Sequence, residues 1–331
     1  MTQQLRGAVL ADIGGTNARF MLTTADGDSA VERVHVSDFG SVCDALGDFL
    51  KRHDSTHAIN AAVLGIAGPV MNNRCVMTNS PWVIDGAELQ QAFGFDDVHV
   101  LNDFEVLAWS LPQLQAADLF ALGTPDAVRT PGPMLVLGPG TGFGVSCLIE
   151  SGNGPVAITT EAGHASLAAE TEREAAVVAR LRQRFGHVSI ELGALSGPGL
   201  QHLYQALADI DGIHVPRRDA ASVTRAALDG SCEVCRMALD MFCALLGSIA
   251  GNLAVTFCAR GGVYIAGGIV PRFPDFVAAS AFRQRFESKG RFQYYLRDIP
   301  TRIIMRSDAT FVGLKARLAT LGGGTRRVSP P

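Results

Sequence analysis

Ala8-Val9-Leu10-Ala11-Asp12-Ile13-Gly14-Gly15-Thr16-Asn17-Ala18-Arg19 is the stretch on which the fold turns. Ala8–Ile13 and Ala18–Thr23 have the length and apolar content of two strands, and the glycines between them make the turn. Glycine lets a backbone approach an anion closely, and the amides of Gly14 and Gly15 with the Thr16 hydroxyl are donors suited to phosphate oxygens. Asp12 is a poor direct partner for phosphate, since like charges repel. It makes sense there when a hydrated Mg²⁺ lies between the two. The alternative is a hairpin whose turn an Asx side chain caps.

The same arrangement returns further on. Met134–Leu137 is a strand, Gly138-Pro139-Gly140-Thr141-Gly142-Phe143-Gly144 a glycine-rich turn, and Val145–Ile149 a returning strand. No lysine lies near this turn, which excludes a Walker A loop, and G-x-G-x-x-G fails at Phe143. Four glycines in seven residues exceed what a hairpin needs and favour phosphate binding. A third pair, Gly267-Gly268, follows the strand Val263–Ala266 at its carboxyl end, where open α/β sheets place ligands. Two halves that each begin strand, glycine turn, strand form a weak internal repeat and would face each other across a cleft.

Around these turns, strand-length and helical patterns alternate. Val31–Val36 reads as a strand, Ser41–His53 as a helix with Val42, Leu46, Phe49 and Leu50 on one face, and Ala61–Ala67 as a strand buried on both sides. Val98–Leu101 is a short strand that runs into Asn102-Asp103 and a helical Phe104–Leu111. Pro112–Pro133 reads as a connection, punctuated by Pro125, Pro131 and Pro133. Val156–Thr160 is a strand, and Glu172–Phe185, Gly199–Ala208, Ala220–Asp229 and Glu233–Cys258 are helices. The order implies α/β architecture with mixed sheets.

At 331 residues the chain is long enough for about two domains of roughly 150 residues. The 47 % hydrophobic content excludes intrinsic disorder, and a net charge of −4 lacks the basic excess of a nucleic-acid binder. Seven irregularly spaced cysteines are not a secreted disulfide framework. Met1–Gly7 is polar and Ala8–Ala11 too short for the apolar core of a signal peptide. Met241–Ala259 carries no charge, but Gly247, Ser248, Gly251, Asn252 and Thr256 favour a buried helix over a membrane span. A soluble cytoplasmic protein without a membrane or nucleic-acid partner is expected.

Among the carboxylates, Asp103 stands between a strand and a helix, either as an N-cap or as a general base with Asn102 on the same ligand. Glu161-Ala162-Gly163-His164 is a polar knot after a strand. A di-iron reading of Glu-x-x-His needs paired copies on helices, and only one is present. Cys232-x-x-Cys235 has no partners spaced to complete a zinc site, so packing is the expected role. No G-x-S-x-G occurs.

Six segments in order carry a resemblance: Asp12-Ile13-Gly14-Gly15-Thr16-Asn17-Ala18-Arg19, Leu101-Asn102-Asp103-Phe104, Gly138-Pro139-Gly140-Thr141-Gly142, Glu161-x-Gly163-His164, Leu195-Ser196-Gly197-Pro198-Gly199-Leu200 and Ile265-Ala266-Gly267-Gly268-Ile269-Val270-Pro271-Arg272-Phe273. From Ala11 to about Leu321 the chain resembles the bacterial glucokinase family, within the hexokinase–actin–Hsp70 superfamily. It departs at Ala162, where the family commonly has a second glycine. The Cys-rich zinc motif of the related repressor and sugar-kinase group is missing.

The resemblance implies a two-domain hexokinase/actin-like (ribonuclease H-like) α/β fold with an interdomain cleft. Residues 1–112 with about 305–321 would form a small domain, 113–304 a large one, and 322–331 a disordered tail. It implies phosphorylation of glucose to glucose 6-phosphate by ATP and Mg²⁺, the entry of glucose into glycolysis. Ala11, Asp12, Ile13, Gly14, Gly15 and Thr16 would form the first phosphate-binding turn, and Gly138, Gly140, Thr141 and Gly142 the second. Gly267 and Gly268 would line the adenosine pocket. Asp103 would be the catalytic base, with Asn102, Glu161, His164 and Glu191 on sugar hydroxyls and Asn79 bordering the sugar. Mg²⁺ would be held mainly by ATP, through water to Asp12, and sugar binding would close the two domains. A cytoplasmic homodimer is implied. The rival readings are a kinase for another hexose, an actin- or Hsp70-like ATPase, and a sugar-sensing repressor. The ATPase has no use for Asn102, Asp103, Glu161 and His164, and the repressor would need a DNA-binding module that the sequence does not open with.

Overall fold

The turn at Gly14–Thr16 joins β1 (Gly7–Ile13) to β2 (Asn17–Thr24) in an antiparallel hairpin, with Asp12 directly opposite Arg19. Two short strands, β3 (Gly27–Asp28) and β4 (Glu32–His35), pair with β2. The strand expected over Val31–Val36 is thus shorter, because Val36 opens a 3₁₀ turn. Helix α1 (Val42–Arg52) starts where the Ser41 hydroxyl accepts the Asp44 amide. Strand β5 (Ala61–Ile66) lies parallel to β1. A small sheet of β6 (Val70–Met71), β7 (Arg74–Val76) and β8 (Val83–Asp85) then leads into α2 (Gly86–Phe93). Strand β9 (Asp97–Asn102) runs parallel to β5 and passes directly into α3 (Asp103–Ser110).

The computed structural model describes residues 7–53, 59–77, 80–123 and 130–322. Asn79 and residues 323–331 of the expected tail lie outside them. The chain divides into two units, Met1–Leu114 with Ser307–Pro331 and Gln115–Arg306. The helix Ala309–Gly322 belongs to the first.

Alternation along β1 builds that unit's two-sided core. Val9, Ala11 and Ile13 join Phe20, Phe49 and Trp82 on one face of the sheet. Ala8 and Leu10 join Val106 of α3 and Phe311 and Leu314 of the C-terminal helix on the other. Leu10 and Ile13 are fully buried, and each contributes about 2 kcal/mol by removal from water.

The second unit repeats the scheme. Strand β10 (Leu119–Leu122) lies in the stretch expected to be only a connection, and pairs antiparallel at the sheet edge. Hairpin strands β11 (Met134–Pro139) and β12 (Phe143–Ser151) flank the second glycine turn, and β13 (Gly154–Thr160) comes after them. Helices α4 (Glu172–Phe185), α5 (Ile190–Gly193), α6 (Gly197–Asp211), α7 (Ala220–Leu228) and α8 (Glu233–Thr256) come next. Strand β14 (Gly262–Ile265) is parallel to β11. After α9 (Pro274–Ala279), α10 (Phe282–Glu287) and α11 (Gln293–Arg297), β15 (Thr301–Ile304) is parallel to β14. Each unit therefore holds one antiparallel hairpin extended by two parallel strands: β2-β1-β5-β9 in the first, β12-β11-β14-β15 in the second.

Helix α8 is long and apolar enough to cross a membrane by composition, yet 67 % of its most apolar stretch is buried inside the protein. Leu239, Phe242, Leu246 and Ala250 are its core residues, in one cluster with Leu137, Leu203 and Phe282. It is the buried helix that its interspersed polar residues imply.

Candidate functional site

In the first unit the hairpin tip is shaped by three backbone bonds. The Gly14 amide donates to the Asn17 carbonyl (2.9 Å), the Ala67 amide to Ile13 (2.9 Å) and the Val36 amide to Thr16 (3.0 Å). Among the described residues, no hydrogen bond within the chain takes the amides of Gly15 and Thr16. Two backbone donors at one turn are the kind of group that can face an anion.

Asp103 comes to the same place. It is the first residue of α3, so the positive end of the helix dipole lies at its carboxylate. Asn102, rather than Asp103, is the N-cap: its Oδ1 accepts the amides of Phe104 (3.0 Å) and Glu105 (3.3 Å), and its Nδ2 donates to the Gly68 carbonyl (3.1 Å). The capping alternative for Asp103 is settled this way because Asn102 keeps extended backbone while Asp103 is already helical. Asp103 Oδ1 accepts the Phe104 amide (2.9 Å). The Asp103 side chain, the 12–17 turn, Arg19, Arg33 and Ala67 line one recess of about 440 Å³.

Two arginines in that recess have no role in the sequence reading. Arg19 Nε donates to Asp12 Oδ2 at 2.8 Å, and its Nη2 contacts the same oxygen more closely. The register that sets Asp12 opposite Arg19 produces the pair, and Arg33 stands opposite Arg19 on β4. Asp12 is thus paired with an arginine from the facing strand. The alternation of β2, with Ala18 and Phe20 buried, is the signal that could have directed Arg19 to the open face.

In the second unit, Phe143 organises the site. Its amide donates to Glu191 Oε2 (3.2 Å), and Gly163 packs so closely on its carbonyl that a Cβ there would lie 2.4 Å from the oxygen. Glu191 stands on the single-turn helix α5 and Gly163 in the 3₁₀ turn Ala162–His164, which the Ile190 amide ties to Ala165 (2.9 Å). Glu161, His164 and Glu191 are thereby brought together. The first two are 61 % and 65 % exposed, with Glu161 Oε2 and His164 Nε2 3.8 Å apart, so both are open to a ligand.

The second glycine turn closes with the Gly140 amide on the Gly142 carbonyl (2.8 Å), and the Gly197 amide of α6 donates to Gly140 (2.9 Å). Ser196, fully buried and not assigned from sequence, ties these parts together. Its hydroxyl donates to the Glu191 carbonyl (2.8 Å) and accepts the Gly199 amide (2.9 Å).

The expected glycines are of two kinds. A Cβ on Gly138 would lie 2.2 Å from the Ala266 carbonyl oxygen, and one on Gly267, whose φ is +86°, 2.4 Å from that of Pro139. These two let β11 and the end of β14 touch. At Gly140 and Gly268 an added Cβ would meet nothing within 4 Å, and both are open to solvent. Two other hollows, of about 270 and 470 Å³ along α4 and α6, contain none of the expected site residues.

The fold is that of the actin-like ATPases, shared here with sugar kinases. The crystal structure of a glucokinase from an Antarctic psychrotroph matches with a TM-score of 0.85 at 36 % identity, over 96 % of this chain and all of that one. A ROK family glucokinase from Streptomyces griseus, in complex with glucose and AMPPNP, shares the fold at 19 % identity with a TM-score of 0.60, over 94 % of this chain and 98 % of that one. The glucokinase family model matches residues 9–321. The glucokinase of Paramagnetospirillum magneticum is 44 % identical over 92 % of this chain and 95 % of its own length. That of Nitrobacter hamburgensis is 42 % identical over the same shares. The chain belongs to the glucokinase family and is a kinase, a transferase of phosphoryl groups.

Proposed function

We propose that this kinase transfers the γ-phosphoryl group of ATP to the 6-hydroxyl of glucose, giving glucose 6-phosphate, with Asp103 as general base. One observation carries the reading: the Asp103 carboxylate shares a recess with the unbonded amides of Gly15 and Thr16. A sugar hydroxyl is a poor nucleophile, and a carboxylate within hydrogen-bond reach accepts its proton as the new P–O bond forms. The rest of phosphoryl transfer is positioning and charge neutralisation, a task for backbone amides.

The 11–16 turn and Gly138–Gly142 would hold the phosphates, and the open Gly268 beside Gly267 would admit the adenosine. Asn102, Glu161, His164 and Glu191 would take sugar hydroxyls, with Asn79 at their border. Asn102 retains one Nδ2 proton for this after bonding Gly68, and Glu191 its Oε1 after bonding Phe143. Several acceptors around one ligand suit a polyhydroxylated substrate, because analogues lacking a hydroxyl would leave them unpaired.

Among the described residues no cluster of three His, Cys, Asp or Glu could cage a metal. In this reading Mg²⁺ would come in with the nucleotide, and the Asp12 Oδ1, left open by the Arg19 bond to Oδ2, would reach it through water. Bound so, Mg²⁺ would neutralise charge on the transferring phosphoryl oxygens. A cytoplasmic homodimer belongs to the same reading and is checked by light scattering.

The test is a coupled assay with Mg-ATP and a panel of hexoses on wild type and Asp103→Ala. Glucose-dependent ADP release that the substitution abolishes while ATP binding persists supports the reading. Release that needs no sugar and survives the substitution refutes the base, and preference for another hexose refutes the substrate.

A further inference from the structure

Cys232 and Cys235 take no part in the proposed reaction; Cys235 packs in the core as expected, but Cys232 also caps a helix. Each of α1–α7 begins with an oxygen cap: Ser41, Asp85, Asn102, Thr171, Ser189, Ser196 and Asp219. The longest helix, α8, begins with sulfur. The Cys232 Sγ accepts the Cys235 amide at 3.4 Å. Sulfur is a weak acceptor, so stability alone favours Ser or Asp at this position and Glu three residues on. The chain instead has a second thiol there. Cys232 is half-buried and Cys235 wholly buried among core residues, so the first turn of α8 presents one reachable thiol with another beneath it.

We propose that Cys232 and Cys235 form a redox-active dithiol that exchanges with low-molecular-weight disulfides bearing anionic groups. Cys232 is the attacking sulfur and Cys235 the resolving one. The Cys232 thiolate attacks one sulfur of R–S–S–R; that S–S bond breaks, R–S⁻ leaves, and Cys232 is joined to R through a mixed disulfide. Cys235 gives its proton to the first R–S⁻ and attacks the Cys232 sulfur, which expels the second R–S⁻; that thiolate takes up the proton Cys232 released on ionising. The dithiol is oxidised by two electrons, and one small disulfide is reduced to two thiols. A cap sulfur and the residue three positions on share one helical turn, as a Cys-x-x-Cys disulfide requires.

The surroundings divide the two roles. Partial burial works to raise the Cys232 thiol, but the Cys235 thiol and amide and the Arg218 guanidinium outweigh it and hold Cys232 below the usual cysteine range. Burial, and then the neighbouring Cys232 thiol, push Cys235 up to about 12. The charged or titratable groups around the pair are Arg218, Asp229, Tyr204 and, within the turn, Glu233. Among the described residues Arg218 Nε is buried with no hydrogen-bond partner, while the guanidinium bonds the Tyr204 side chain. Arg218 also lines the hollow of about 470 Å³ with Arg184 and Arg217, and among the described residues no carboxylate stands in its wall, which suits an anionic disulfide over a cationic one.

The test uses the full chain, oxidised glutathione and peptide mass mapping. The expected product is a Cys232–Cys235 peptide lacking two hydrogens, while exposed Cys258 gains a simple adduct. In Cys235→Ser the mixed disulfide should instead persist at Cys232. On the wild type, iodoacetamide should alkylate Cys232 roughly tenfold faster than Cys258 at neutral pH, the gain in thiolate fraction for a Cys-x-x-Cys nucleophile. Oxidised glutathione should also outpace cystamine. An adduct on Cys258 with Cys232 and Cys235 still reduced, or alkylation of Cys232 no faster than Cys258, overturns the dithiol. Equal rates with cystamine overturn the anionic preference.

Discussion

Gly138→Ala and Gly140→Ala, two residues apart in one turn, should fail in different ways. At 138 the added Cβ would lie 2.2 Å from the Ala266 oxygen, against about 3.5 Å for an unstrained contact. The neighbour is backbone, held by the Ala266 amide on the Leu137 carbonyl (2.8 Å) and by the pairing of Leu137 with Ile265. No side chain can swing away, so β11 and β14 must part by about 1 Å. Overpacking of this kind costs about 3 kcal/mol. For a unit of this size that lowers the thermal midpoint by about 6–12 °C. At 140 a methyl group meets nothing within 4 Å and the backbone φ is not positive. The fold should tolerate it, or gain up to about 1 kcal/mol from the smaller entropy of the unfolded chain.

The functional readout runs the other way. If the Gly140 backbone meets phosphate, the methyl group stands between them, and the KM for ATP should rise about tenfold with the midpoint unchanged. Gly267→Ala and Gly268→Ala repeat the contrast, since the first combines a φ of +86° with a 2.4 Å approach to Pro139 and the second is open. Scanning fluorimetry and ATP titrations on all four variants suffice. A midpoint for Gly138→Ala equal to wild type, or losses at 138 and 140 of similar size, would refute the division of these glycines into packing and ligand positions.

Asp103→Asn should lower kcat by about 10²–10⁴, the usual span for a general base, with ATP affinity kept; single-turnover kinetics showing an unchanged chemical step would remove Asp103 from the reaction. Asn102→Ala should cost about 1 kcal/mol for the lost cap and about as much again for the bond to Gly68, while Asn102→Ser should restore the cap alone. Urea midpoints separate the two, and equal midpoints for Ala and Ser would mean that the cap contributes nothing. Glu174 is buried, and although burial works to raise its carboxyl, the bonds from Arg285 (2.7 and 3.1 Å) and the Glu170 amide win and hold it below its ordinary value. A depressed folded value stabilises above the unfolded pKa of about 4.3 and is lost as pH falls through the folded one. Wild type should therefore lose stability in that acid window. Glu174→Gln should lose about 3 kcal/mol at pH 7 and show a flatter acid limb; parallel limbs would exclude Glu174 as the titrating group.

What could be read in the sequence depended on how local its physical cause is. Ala61–Ile66 and Met134–Leu137 are apolar on both faces and were legible as central strands, and the glycine turns marked the hairpins. Strands β6–β8 have two or three residues each, with Met71 and Val76 exposed, so no period can develop. Strand β10 was hidden by the prolines that come after it, and its partner β15 lies some 180 residues away. For Asp103 the sequence left an N-cap and a general base open, and only the backbone, extended at Asn102 and helical at Asp103, assigns the cap to Asn102. Arg19 needed the hairpin register, which sets it opposite Asp12. The anchoring of Glu191 on the Phe143 amide, across 48 residues, has no local signature at all.

The repeated topology explains why one scheme can hold two kinds of chemistry. In both units the ends of parallel strands carry the candidate site, but the segments that leave those strands differ. After β9 the chain turns at once into a helix, and the Asn102 cap fixes the first turn so that the Asp103 carboxylate has a defined direction. A base must be aimed at one proton, and a capped helix start supplies that aim. After β14 the chain instead runs through Gly267 and Gly268, one pressed on Pro139 and the other bare. A flat ligand needs backbone without side chains, and that requires a glycine packed closely enough to hold the next one open. Exchanging the two solutions would fail on both sides: glycines after β9 would leave the carboxylate unaimed, and a capped helix after β14 would fill the open space proposed for the adenosine.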